Sequence, residues 1–240
     1  MTDESRTLLS VRGHAQLEVA PDEATLVWVV SALEDDKATA LRVLASRLAA
    51  ATEALRELGG VVRDVGEQRH ALAWLVGSAR TEAEQRWDKV QDRWLPTGKV
   101  RASAALTVLV RDFQLLNRVG AALAGHPDAH LRYVDWFVDH DNPGWQQVRA
   151  TAVGAAVAKA RDYAAALGGA LVRTEHVADV GLLGDRDGGF EHAPRPPAAR
   201  AALSAARESD DEQAPSLDPV PQELEASIEA RFTATVAPLS

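Results

Sequence analysis

Residues 25–60 read TLVWVVSALEDDKATALRVLASRLAAATEALRELGG, and the change of period inside this stretch decides the fold. Thr25 to Leu33 is rich in Val and carries Trp28, the composition of a strand. Asp35-Asp36 follows and caps a helix, because a carboxylate there accepts from backbone N–H groups that the first helical turn leaves unpaired. Leu41, Leu44, Leu48, Leu55 and Leu58 then recur at helical spacing, with Ala45 and Ala51 filling the stripe. Gly59-Gly60 ends the helix, since glycine tolerates the left-handed conformation on which helices often stop. Burying each Leu contributes roughly 1.5–3 kcal/mol, so this stripe is a major part of any core.

The pattern extends in both directions. Upstream, Leu9, Val11, Gly13, Ala15, Leu17 and Val19 alternate with mostly polar residues, the period of a half-buried strand. Pro21-Asp22 breaks it, and the two strands are expected to form a hairpin. Downstream, Val61 to Val76 is strand-like. Residues 78–98 read as a long polar hairpin excursion, and Val100 to Val110 returns as a strand. Asp112 caps a short helix carrying Leu115, Leu116, Val119 and Leu123, and His130 to Val138 is a further strand. From Thr25 to Asp139 the order is therefore β-α-β-β-α-β, the ferredoxin-like arrangement, within an α+β fold.

Asn142-Pro143 opens an Ala-rich helix that runs to Leu167 and stops at Gly168-Gly169. Its small residues suit close approach to a sheet or to another helix. Leu171 to Leu183 follows as a strand. Residues 186–221 hold APRPPAARAA and ESDDE and few large apolar side chains, the composition of a mobile insertion. Glu223 to Val236 recovers alternation as a closing strand. The expected organisation is one α+β domain over residues 1–185, the insertion at 186–221, and a last strand of the same domain within 222–240.

Composition sets outer limits. The 240 residues, 46 % hydrophobic and 25 % charged, can bury a sizeable core without disulfides or metals. There is no cysteine, which excludes thiol catalysis and thiolate metal sites. A net charge of −9 with no basic run disfavours nucleic acid as a partner. No stretch approaches the ~20 apolar residues of a membrane span, and Met1 to Pro21 has neither the basic start nor the apolar run of a secretory signal. The expected location is the cytoplasm.

Several segments together resemble the SIMPL family of bacterial proteins. VRGHAQLEVAPDEATLVWVV (11–30) is close to the family's V-x-G-x-A…PD-x-A opening. Ala38 to Gly59 matches its first helix, and RASAALTVLVRD (101–112) the strand that follows. RATAVGAAVAKARDYAAALGG (149–169) resembles its late Ala-rich helix, and ELEASIEARFTATV (223–236) its final strand. The resemblance implies an α+β fold, frequent oligomerisation and no established catalytic residue. Typical bacterial members carry a signal peptide, which these residues do not show, and the 186–221 stretch is longer and richer in Pro than the family leads one to expect.

Motifs for chemistry are sparse. Gly98-Lys99 lacks the rest of a phosphate loop, with Arg93 and Val100 where glycine and Ser or Thr are needed. HPDAHLRYVDWFVDHDNPGW (126–145) gathers His126, Asp128, His130, Asp135, Asp139, His140 and Asp141. Strand alternation puts His130 and His140 on the face of Arg132 and Trp136, and Asp135 and Asp139 on the other, so ligands there would diverge. No metal site and no cofactor are expected. A small-ligand-binding protein or an enzyme with a pocket near 126–141 is the alternative reading. His14 reads as a half-exposed strand histidine. Trp87 and Trp94, in an otherwise charged hairpin, either mark a partner or self-association surface or fold back on the core. With open sheet edges to manage, the leading expectation is a non-enzymatic interaction or assembly protein that forms a homo-oligomer.

Overall fold

The computed structural model describes residues 5–64, 69–126, 128–182 and 217–237. The chain divides into two compact units. One comprises residues 1–20, 138–202 and 221–240, and is called the first unit; the second comprises 21–137 and 203–220.

In chain order the elements are β1 Ser5–Val19, β2 Glu23–Glu34, α1 Lys37–Glu57, β3 Val61–Val62, β4 Leu72–Val76, β5 Arg80–Asp88, β6 Arg93–Val110, α2 Leu116–Ala124, β7 Ala129–Phe137, α3 Pro143–Ala166, β8 Ala170–Asp179 and β9 Gln222–Val236. The result is a mixed α+β protein. No described helix is long and apolar enough to cross a membrane.

In the second unit the sheet order is β3-β4-β6-β2-β7, with β5 also paired to β6. Every pairing is antiparallel except the short parallel contact of β3 with β4. Ala24, Leu26, Trp28, Val30 and Ala32 of β2 lie on the core face, joined by Ala102, Ala104, Leu106, Val108 and Val110 of β6. Leu44 and Leu55 of α1 and Leu116, Val119 and Leu123 of α2 complete this core. The Asp36 carboxylate accepts from the backbone N–H groups of Ala38 and Thr39 at 2.9 and 3.0 Å, the expected cap. Ala45 is exposed, contrary to its expected place in the stripe; Ala40 is buried instead. At about 100° per residue, the position after Leu44 has already turned off the buried face. Trp28 is 4 % exposed, and its indole N–H has no hydrogen-bond partner among the described residues. Leu217 also packs on this core, and its N–H donates to Asn117 Oδ1 at 3.1 Å. The rest of the segment expected as an insertion, up to residue 216, lies outside the described residues.

In the first unit the sheet order is β1-β9-β8. β1 and β9 pair over their full length without a slip, from Ser5 opposite Val236 to Val19 opposite Gln222. The last strand in sequence is thus the middle strand of its sheet. The expected β1–β2 hairpin does not form, because β2 pairs with β6 and β7. The facial chemistry explains the choice. β2 is apolar on both faces and takes two neighbours from the second unit, whereas β1 sets a polar face of Arg12, His14 and Gln16 against the polar face of β9.

Helix α3 lies on this sheet through Gly144, Val148, Ala152, Ala156, Ala160 and Ala164, a strict four-residue stripe of mostly small side chains. The strand beneath it is cut to match. A Cβ on Gly13 would lie 2.0 Å from the Ala152 carbonyl oxygen and 2.9 Å from the Ala156 Cβ. Asn142 Oδ1 accepts from the Gly144 N–H at 2.8 Å and starts the helix, with Pro143 at its first position.

Candidate functional site

The described residues offer three places to look for function: the β5–β6 hairpin, the polar face of β1 and β9, and the 126–141 segment.

The hairpin is the most distinctive. β6 has 18 residues. Residues 100–110 are flanked by β2 on one edge, and by β4 and the start of β5 on the other. Among the described residues, 93–99 have only β5 beside them. They form a two-stranded ribbon that runs on for about 20 Å at ~3.4 Å per residue. Its turn is built by Asp88, whose Oδ1 accepts from the N–H groups of Val90 and Gln91 at 2.8 and 3.1 Å. Asp92 adopts φ 51°, the left-handed conformation that Asp tolerates better than most residues. At the base, Thr97, Gly98 and Lys99 of β6 stand opposite the single residue Glu84 of β5. Gly98 takes φ 83° in this bulge, a value disfavoured for any side chain. Glu84 ties the bulge together, accepting from the Thr97 hydroxyl at 2.9 Å and pairing with Arg101 at 3.0 Å.

Trp87 and Trp94 are direct cross-strand partners near the tip. Their rings meet edge to face, with centroids 5.5 Å apart and planes at 68°. They remain 41 % and 60 % exposed, so the pair does not fold back on a core. An open groove of about 470 Å³ beside them is lined by Glu82, Ala83, Glu84, Gln85, Trp94 and Arg101. The sequence showed both tryptophans; their pairing needed the turn at Asp88 to be placed, since only then do 87 and 94 become symmetric about it.

On the first unit's sheet, His14 Nδ1 lies 3.0 Å from Ser227 Oγ and 3.6 Å from Glu225 Oε1. The three residue types suggest a catalytic triad, but the geometry does not. A triad histidine uses one ring nitrogen for the nucleophile and the other for the carboxylate, whereas here the same nitrogen faces both. The neighbouring Arg12–Glu229 ion pair at 2.8 Å and the contact of Glu175 with Thr233 and Arg173 continue the same polar surface. The Thr233 hydroxyl, and after it Arg173, hold the Glu175 carboxyl below its ordinary value. Asp36, likewise lowered, owes this first to the Thr39 backbone N–H at the α1 cap. Both shifts come from structural hydrogen bonds, at an exposed position for Asp36 and a half-buried one for Glu175.

The 126–141 segment is arranged differently from the sequence expectation. Tyr133 pairs with Val27 and Leu131 with Trp28, leaving Arg132 as an extra residue. This bulge reverses the phase of alternation along β7. His130 therefore stands opposite Val29, and Asp135 opposite Thr25, both on the face away from the core, while Trp136 turns inward. His130 thus shares a face with Asp135, the reverse of the expected alternation. His140 lies beyond the strand, in the turn before α3, and belongs to the first unit. Asp128, at φ 55°, pairs with Arg47, and its carbonyl accepts from the Ser31 N–H at 3.0 Å, so it clasps α1 to the start of β7. Among the described residues no three His, Cys, Asp or Glu side chains gather as metal ligands would.

A family model, SIMPL, described as a protein of unknown function (DUF541), matches residues 9–232. No curated protein matches the chain.

Proposed function

The chain belongs to the SIMPL family, and from that starting point we propose that it acts as a non-enzymatic interaction or assembly protein whose contact element is the β5–β6 ribbon. The observation that carries this reading is the ribbon itself, a two-stranded arm beyond the sheet with an exposed, mutually packed tryptophan pair near its tip. An isolated two-stranded ribbon is marginal in water, and large aromatic surface left on it is unfavourable unless a partner covers it. Trp is also enriched among the residues that dominate binding energy at interfaces. The partner proposed is a further copy of the same chain.

The second unit is read as ferredoxin-like. The strand order β4-β6-β2-β7, with α1 between β2 and β4 and α2 between β6 and β7, supports that reading. Residues 186–221 are read as an insertion; the position of β9 between β1 and β8 supports this, because the chain after the stretch returns to the middle of a sheet.

Light scattering tests the assembly reading. The wild type should give a mass above the 25.7 kDa of one chain. Trp87→Ala with Trp94→Ala should lower that mass and leave the far-ultraviolet circular dichroism unchanged. A wild type that stays at one chain's mass at high concentration would refute it.

A further inference from the structure

The outer edge of β5 has no partner strand among the described residues, and the order of its side chains fits that edge to a copy of itself. Residues 80–88 read RTEAEQRWD. β5 is uninterrupted, because the bulge lies on the β6 side, and it contains no proline that would remove a backbone donor. Suppose two copies pair antiparallel about a twofold axis through Glu84. Arg80 of each then faces Asp88 of the other, and Glu82 faces Arg86. Every charged residue meets its opposite except Glu84, which meets its own copy. Glu84 is already engaged by Arg101 and Thr97 of its own chain. Thr81 falls opposite Trp87, the β-branched and aromatic combination that packs well across strands.

Neighbouring registers lack this property. Centring the axis on Ala83 sets Arg80 against Arg86 and Glu82 against Glu84. Centring it on Gln85 sets Glu82 against Asp88. Like charges directly opposed in a sheet are destabilising, so the sequence selects one register and rejects those two residues away on either side. Arg80, Glu82 and Arg86 are exposed, so the charges contribute mainly register and orientation. Attraction comes from backbone hydrogen bonds along the new strand pair and from cover for the tryptophan side of the ribbon.

We propose that a second copy of this chain docks on β5 by antiparallel edge pairing centred on Glu84. This rests on the assembly reading above and specifies its register.

Charge reversal and cysteine pairing test it. Each of Glu82→Arg and Arg86→Glu turns two attractive pairs into two repulsive ones. Each should weaken self-association about tenfold or more, with circular dichroism unchanged. Mixing the two variants should restore association, since the arginine introduced in one then faces the glutamate introduced in the other. The chain has no native cysteine, so engineered thiols report alone. Oxidation of a mixture of Ala83→Cys and Gln85→Cys should give a covalent dimer, because these positions face each other across the axis, and neither variant should cross-link by itself. Self-cross-linking of either variant, or self-association unaffected by both reversals, would overturn this register while leaving assembly standing. A wild type that remains a single chain would overturn both.

Discussion

Replacing Gly13 with alanine tests how closely α3 lies on the sheet. Gly→Ala in a strand interior is normally helpful, because it restricts the unfolded chain and stabilises by about 0.4–1 kcal/mol. Here the new methyl would sit 2.0 Å from the Ala152 carbonyl oxygen and 2.8 Å from the Ala156 backbone nitrogen. Both obstacles are main-chain atoms of a continuous helix, so no rotamer change relieves them. Restoring ordinary contact requires a shift of more than about 1 Å, and such overpacking costs typically 1–3 kcal/mol, occasionally more. A helix that retreats also loosens the remaining contacts of its alanine stripe. Gly13→Ala is therefore expected to destabilise the first unit by about 2–3 kcal/mol. Urea denaturation, with amide hydrogen exchange of residues 143–166 to localise the loss, measures it. Ala156→Gly should not rescue the variant, because the nearest obstacle is the Ala152 carbonyl. Gly154→Ala is the control: it lies on the same helix with nothing among the described residues within 4 Å of its added Cβ, and should stabilise by about 0.8–1 kcal/mol. Equal or greater stability of Gly13→Ala would refute the close packing of β1 and α3.

Two further outcomes concern the second unit. Leu44 is 2 % exposed, whereas Leu48 is only partly buried, so Leu44→Ala should be the costlier truncation, at about 2–5 kcal/mol in denaturant titrations. Asp36 has a folded pKa below its ordinary 3.8, so its contribution is complete above that value and is lost as pH falls through the lowered one. Protection of the Ala38 and Thr39 amides, taken relative to an unstructured chain at the same pH, should fall over that acid range in the wild type, and Asp36→Asn should remove most of that fall.

The local elements were legible because their signals are local. Asp36 and Asn142 stand at the starts of α1 and α3, Asp112 caps the single 3-10 turn Phe113–Leu115 that leads into α2, and Gly59 and Gly168 take φ 83° and 70° just beyond two helix ends. Strand partners were less legible. β1 and β2 are neighbours in sequence, and proximity argued for a hairpin, yet β1 pairs with a strand more than 200 residues away. What separates them is burial of one face against burial of two, a distinction visible in the residues but outweighed by nearness. The bulge at Arg132 left no mark in the sequence, since one inserted residue changes phase without changing composition, and so the faces of His130 and Asp135 were misassigned. The paired tryptophans were visible as residue types; their contact depended on a turn placed to within one residue.

The position of β9 also bears on how the protein is made. The polypeptide emerges from its N-terminus, and domains fold as units as they become available. Most of the second unit is one continuous stretch, residues 21–137, which can close during synthesis. The first unit cannot, because β1 and β8 are both edges of a sheet whose centre, Gln222–Val236, is translated after every other strand. Until then β1, which precedes β2 to β9 in the chain, carries an unpaired apolar face and two open edges. A nascent chain halted before residue 222 would hold one finished unit and one that cannot form, which makes the completion of β9 the event that separates a folded product from a target for chaperones or proteases.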